Sequence, residues 1–313
     1  MQERPVVGFI LACTTMLLWG ALPIALHQLL TVLDPFTLTW FRFSLSALLL
    51  GAGLAWQGGW PSLSHLLRHK GLLAVAVLGL GFNYLFCLLS LQRLDPESFN
   101  VLIQLGPILL MLMSVLLYRE SFTRVQQMGA LLLLVGLLLF FHDRLGLLVS
   151  QLSGESLGIV LAVVAASCWA CYGLAQKRLI QSVPAQQVML VVYLACSAAY
   201  LPFSAPSELI GMSGTLWWIL LFASLNTVVS YGAFSEALRF WSATKISAVL
   251  TQVPLVTILL SHLLALLWPD FARRVPDGWA ILGACLVVGG AQLTVLGNGL
   301  WDYLRRRGDV GSL

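Results

Sequence analysis

Apolar positions gather along this chain into ten long runs, separated by short polar stretches. The runs cover approximately residues 6–32, 36–56, 71–92, 96–118, 122–142, 156–180, 184–204, 215–240, 244–267 and 277–299. Each is close to the ~20 residues that a helix rising ~1.5 Å per residue needs to cross ~30 Å of hydrocarbon. The pattern predicts ten transmembrane helices. The first run is too long for a signal-peptide core, is preceded by little positive charge and has no small-residue cleavage site after it, so it is expected to be retained.

A second pattern lies on top of the first. From Ser98 to Phe140 two apolar runs flank a charged turn at Arg119, Glu120 and Arg124, and the first run carries Pro107 near its middle. About 147 residues later the stretch from Lys245 to Asp270 says something similar, with Pro254 opposite Pro107 and Ser261 opposite Ser114. Gly283 to Gly290 then falls opposite Gly129 to Gly136. This is an internal repeat, dividing the chain into residues 1–148 and 149–313 with five runs each.

Positive charge gives the orientation. With the N-terminus inside, twelve Lys and Arg fall in inner segments (Arg4, Arg68, Lys70, Arg119, Arg124, Lys177, Arg178, Arg239, Lys245 and Arg305 to Arg307) and only Arg93, Arg144, Arg273 and Arg274 outside. That bias predicts both termini in the cytoplasm. Five is odd, so the second half must enter the membrane from the opposite side to the first. The expected fold is an all-α membrane protein of ten transmembrane helices, built as two inverted five-helix repeats around a central cavity.

Composition agrees and narrows the function. With 59% hydrophobic and 10% charged residues, and a mean hydropathy of +0.90, the chain is predicted to be polytopic and not soluble. Its net charge of +4 therefore reports topology, not nucleic-acid binding. All six cysteines lie inside apolar runs and read as small packing residues; Cys168-x-x-Cys171 sits in a membrane helix without a second thiol pair. His27, His142 and His262 lack any metal-binding spacing, so no metal and no cofactor is predicted. A membrane-bound enzyme would need paired His or acidic residues near an interface, and the spacings supply none. A channel needs a filter ring or a charge-lined pore, whereas inverted halves suit alternating access around a mid-membrane site.

Candidate site residues follow from depth. Trp19 in the first run and Trp169 in the sixth are central, as are Asn83-Tyr84 in the third and Ser230-Tyr231 in the eighth. Gln104 and Thr251 precede the two prolines by about one turn. Asn83, Asn100, Gln104, Asn226, Ser230, Thr251 and Gln252 can hydrogen-bond a solute, or equally serve helix-to-helix bonding. Trp19, Tyr84, Trp169, Tyr172 and Tyr231 can line a pocket for an apolar or aromatic ligand, or simply pack. Trp56, Trp60, Trp217, Trp218, Trp268, Trp279 and Trp301 read as interfacial belt residues. Pro107 and Pro254 each free a backbone carbonyl, that of Ile103 and of Leu250, and are candidate hinges or static kinks. Arg42, about two turns into the second run, either attracts an anionic group of the solute or contacts helix-end carbonyls. Glu236 stands three residues from Arg239 on one helical face and is read as a structural ion pair or, alternatively, as the site of a coupled proton. Gly129, Gly136, Gly283, Gly289 and Gly290 allow close helix packing.

These residues together carry a family resemblance. L-L-W-G at Leu17 to Gly20, W-F-R-F at Trp40 to Phe43, the proline at Pro107, R-E at Arg119-Glu120, Q-x-x-G at Gln126 to Gly129 and the block from Pro254 to Gly290 resemble the drug/metabolite transporter superfamily, of the EamA-repeat type. The likeness covers roughly residues 6 to 299 and departs where Asp270 follows Trp268-Pro269 in place of a Gly-Glu pair. It implies a basket of ten helices around a central cavity, with the fifth and tenth spans standing aside as supports or as contacts for another copy, in one copy or as a homodimer. It also implies secondary active export or exchange of small metabolites, such as amino acids or amphipathic compounds, across a bacterial inner membrane. A lipid flippase of the same fold is the alternative. The scarcity of intramembrane cations beyond Arg42 favours a neutral, zwitterionic or apolar solute.

Overall fold

The computed structural model describes residues 5–56, 68–118, 123–143, 154–240, 246, 249–267 and 277–310; of residues 5, 107, 111, 114, 118, 235, 238, 239 and 295–310 it describes the backbone alone. Arg4, Trp60, Arg119, Glu120, Arg144, Lys245, Trp268, Asp270, Arg273 and Arg274 lie outside the described residues.

The helices are α1 (Pro5–Leu29), α2 (Pro35–Trp56), α3 (Lys70–Leu91), α4 (Pro96–Ile103), α5 (Leu105–Tyr118), α6 (Arg124–Phe140), α7 (Gly154–Leu179), α8 (Ala185–Tyr200), α9 (Gly214–Phe240), α10 (Val253–Leu267) and α11 (Gly278–Val310). Two short 3-10 turns, Leu201–Phe203 and Pro206–Leu209, follow α8. Among the described residues seven helical spans are long and apolar enough to cross a membrane, α4 and α5 together forming one of them. Three shorter apolar helices, Arg124–Phe140, Val253–Leu267 and Gly278–Thr294, accompany them. Every predicted run is thus matched by a helix.

Local chemistry fixes where helices begin. Leu33-Asp34-Pro35 and Leu94-Asp95-Pro96 repeat the same start, with proline at the first helical position, where its missing N–H is one that would have no partner anyway. Asp34 Oδ1 accepts the backbone N–H groups of Phe36 at 2.7 Å and Thr37 at 3.1 Å, and Asp95 Oδ1 accepts that of Ser98 at 2.7 Å. At α6 a reciprocal cap forms: the Thr123 hydroxyl accepts the N–H of Gln126 at 3.3 Å while Gln126 Oε1 accepts that of Thr123 at 3.0 Å.

The interruptions differ from a simple proline kink. The fourth span breaks at Gln104, between α4 and α5, and the ninth turns at Thr251 and Gln252 before α10. In each case helix stops at the residue four before the proline, Ile103 or Leu250, whose carbonyl the ring would otherwise strike. Pro107 and Pro254 then sit in the first turn of the following helix.

Packing pairs helices that are distant in sequence. α1 lies against α9, α3 against α7, α2 against α8 and α6 against α11, and α5 packs on α7, α10 on α1, α2 also on α9 and α4 on both α7 and α10. Lipid is as apolar as leucine, so close approach and buried polar bonds, more than hydrophobicity, hold such pairs together. Between α6 and α11 glycines let the backbones touch. A Cβ added at Gly129 would stand 2.6 Å from the Thr294 nitrogen, and one at Gly136 2.6 Å from that of Val287. Gly283 and Gly290 face Phe140 and Leu133 backbone equally closely, whereas Gly289 does not belong to this seam, its nearest neighbour being Leu132 Cδ2 at 3.9 Å. Large apolar side chains such as Phe9, Leu48, Leu78, Leu131, Val160, Leu194 and Leu259 point outward, exposed. Most of the buried polar side chains are on the inside. That is the distribution a lipid solvent selects.

Candidate functional site

The mid-depth aromatics meet. Trp19 on α1 donates its Nε1–H to Ser230 Oγ on α9 at 2.8 Å, and its ring stands edge-on to Tyr231 with centroids 5.5 Å apart. Trp169 on α7 lies near the Tyr231 side chain and covers Gly106, where a Cβ would meet its Cε3 at 3.1 Å. Ser230 is fully buried and donates to the Asn226 carbonyl one turn earlier. One locus therefore gathers α1, α7 and α9, with the start of α5 beside it.

The amides divide into two groups. Asn83 donates Nδ2–H to the Ala165 carbonyl at 2.9 Å, tying α3 to α7; Asn226 does the same to the Leu18 carbonyl at 2.6 Å, tying α9 to α1. Asn100 on α4 bonds Thr257 on α10, and Thr257 in turn donates to the Gly20 carbonyl at 2.7 Å. These three amides are engaged between helices. Gln104 is buried in the break of the fourth span and Gln252 half-buried in that of the ninth, with Thr251 buried next to it. Tyr172 is buried against α8, where its hydroxyl donates to Met189 Sδ at 2.8 Å.

A second aromatic layer lies beside the first. Tyr84 stacks on Phe43 with centroids 4.6 Å apart, and Phe43 also faces Tyr193 and Tyr200. Over the Tyr84 ring, 4.7 Å from its centroid, sits the guanidinium of Arg42. Arg42 is 3% exposed and donates Nη2–H to Thr227 Oγ1 at 3.1 Å. Thr227 also lies near the Tyr84 side chain. Half-buried Glu236 interacts with a neighbouring group, while the side chain of Arg239 lies outside the described residues.

Thr227, Thr257 and Phe43 were not singled out by sequence reasoning. A signal existed: Phe43 lies within W-F-R-F, and Thr257 stands three residues beyond Pro254. Among the belt tryptophans, Trp56, Trp218 and Trp279 are exposed, whereas Trp217 packs edge-on to Phe41 with centroids 6.0 Å apart. A cavity of about 460 Å³ lies elsewhere, where α1 and α3 end, and is lined by His27, Leu30, Thr31, Leu91, Gln92 and Arg93.

Apolar helices with an outward lipid-facing surface, and inward polar and aromatic side chains drawn from several of them, define a polytopic helical membrane protein of the transporter class. The chain belongs to the EamA-like transporter family, whose sequence profile matches it twice, over residues 6–142 and 156–296. It is 38% identical, over its whole length and 98% of the relative, to a protein of Escherichia coli (strain K12) described as an uncharacterized inner membrane transporter, YhbE. An uncharacterized transporter of Haemophilus influenzae is 36% identical over 97% of this chain and 99% of its own length. A "probable amino-acid metabolite efflux pump" of Salmonella typhimurium is 23% identical over 93% of this chain and 95% of the pump. A chain of known crystal structure shares the fold with a TM-score of 0.63 at 23% identity, covering 92% of this chain and 97% of that one.

Proposed function

We propose that this protein is a secondary active exporter or exchanger of small amphipathic metabolites, amino acids among them, embedded in a bacterial inner membrane with both termini in the cytoplasm. Residues 1–148 and 149–313 form two inverted halves, and the solute binds between them at mid-depth. One observation carries the reading: Trp19 and Trp169, from the first helix of each half, both reach the Ser230-Tyr231 step of α9. The exchange of partners between halves supports it, since α1 packs on α9 as α7 packs on α3, and α10 on α1 as α5 on α7. So does the amino-acid metabolite efflux pump among the relatives.

In this reading Trp19, Tyr84, Trp169, Tyr172 and Tyr231 wall the pocket, while Gln104, Thr251, Gln252 and Ser230 offer hydrogen bonds. Asn83 and Asn100 hold the walls to their neighbours. The breaks at Gln104 and at Thr251-Gln252 lie opposite one another in sequence and let the α5 and α10 segments rock about the ends of α4 and Leu250. Counterflow in proteoliposomes tests the whole. Vesicles loaded with unlabelled amino acids or other small amphipathic metabolites are expected to draw in the labelled compound transiently and saturably. Lipid movement without solute counterflow would assign the flippase instead, and conduction without saturation would assign a channel.

A further inference from the structure

Arg42 is a charge that the described residues leave uncompensated. It is 3% exposed, lies well inside the second span, and no described carboxylate is in ion-pair contact with it. Guanidinium stays protonated at any physiological pH and has five N–H donors in a planar fork. Of these, one donor on Nη2 is used, on Thr227 Oγ1, and Nε–H is buried without a partner. The Tyr84 face at 4.7 Å supports the cation but accepts none of the fork.

The surroundings depart from ordinary membrane-helix chemistry in the same place. Many buried or half-buried serines and threonines in this protein return their hydroxyl to the carbonyl four residues back, as Thr15 does at 3.0 Å, Ser167 at 2.9 Å and Ser224 at 2.8 Å, the buried Ser261 on α10 being one exception. Thr39 and Ser46 do not. Both are fully buried on α2, three residues before and four after Arg42, and neither hydroxyl has a hydrogen-bond partner. That spacing puts the three on one helical stripe. A buried, always-charged fork flanked by two unused hydroxyls, with an aromatic wall of Phe43 and Tyr84 alongside, is suited to a planar anion attached to an apolar body.

We propose that Arg42 is the anion subsite of the transported solute, taking the carboxylate of an amphipathic molecule in a two-pronged hydrogen bond while Thr227 and Tyr84 hold the guanidinium in place. The inference rests on the carrier reading above. It restricts the solute to carboxylate-bearing compounds, zwitterionic amino acids included, and excludes organic cations lacking an acid.

The test separates the two claims by measuring binding apart from transport. Full-length protein in detergent is heated with L-phenylalanine, with L-phenylalaninamide, which lacks the carboxylate, or with phosphatidylglycerol, and its unfolding temperature is followed. The same compounds are then tried in counterflow. Phenylalanine is expected to stabilise the wild type and the amide to do so at least about 10-fold more weakly in concentration. Arg42→Gln should abolish that preference by weakening phenylalanine about 10- to 100-fold, leave the amide unchanged, and keep the unliganded unfolding temperature within a few degrees; Arg42→Lys should retain part of it. Stabilisation that depends on Arg42 without any counterflow would keep the subsite and remove the carrier. The proposal is overturned if acid and amide act equally on the wild type, if neither acts, if Arg42→Gln weakens both alike, or if only phosphatidylglycerol acts through Arg42.

Discussion

The α6–α11 seam offers a sharp test of the packing, because two glycines on the paired helices have opposite surroundings. At Gly136 an added methyl carbon would lie 2.6 Å from Val287 N and 2.8 Å from the Gly283 carbonyl. Ordinary carbon contacts need ~3.5 Å or more, so the helices must part by nearly 1 Å or bend, and overpacking of this kind costs ~1–3 kcal/mol. Alanine also favours a helix over glycine by ~0.5–1 kcal/mol. The net expectation for Gly136→Ala is a loss of about 1 kcal/mol, reaching about 2.5 where the seam cannot give. At Gly289 the methyl would find only Leu132 Cδ2, at a comfortable 3.9 Å, so Gly289→Ala should gain about 0.5 kcal/mol from helix propensity alone. The propensity term is common to both, and the difference between the variants, ~1–3 kcal/mol, isolates the backbone contact. Reversible unfolding in mixed micelles measures it. Equal stabilities for the two variants would refute the close approach of α6 and α11.

Further expectations concern the site. Asn226→Ala removes the bond to the Leu18 carbonyl and should destabilise by ~0.6–2 kcal/mol in the same unfolding assay; an unchanged midpoint would show that α1 and α9 are held by packing alone. Pro254→Ala restores a backbone donor at the start of α10 and, by letting helix run on from Leu250, should slow counterflow several-fold with solute affinity kept; unaltered rates would make the break a static feature. Glu236→Gln should leave the response of transport to a pH gradient as in wild type, whereas loss of that response would make Glu236 the proton site.

Much of this architecture is legible in the sequence because lipid imposes one strong rule: apolar runs of sufficient length become helices. Helix positions followed from that rule, and the starts at Pro35 and Pro96 follow from fixed proline geometry after an aspartate cap. Which helices pair was not legible. Gly136 and Gly289 look alike in sequence, and only the azimuth of their helices decides that one meets backbone and the other a leucine tip. At the two prolines the sequence already points to the carbonyls of Ile103 and Leu250, and the helix ends there, one turn before each ring. Thr39 and Ser46 escaped notice since a hydroxyl in a membrane helix ordinarily satisfies itself on its own turn, as that of Thr227 does on the Ala223 carbonyl. Only a structure reveals the ones that do not.

Access to the locus shared by Trp19, Trp169 and Tyr231 tests the account's central claim most directly. With Cys13, Cys87, Cys168, Cys171, Cys196 and Cys285 replaced by alanine, a single cysteine is placed at Tyr231 and a membrane-impermeant thiol reagent is applied to right-side-out and to inverted vesicles. Alternating access around a mid-membrane site predicts labelling from both faces, slowed by a transported solute on each. Labelling from neither face, or from one face only whatever solute is present, would contradict it.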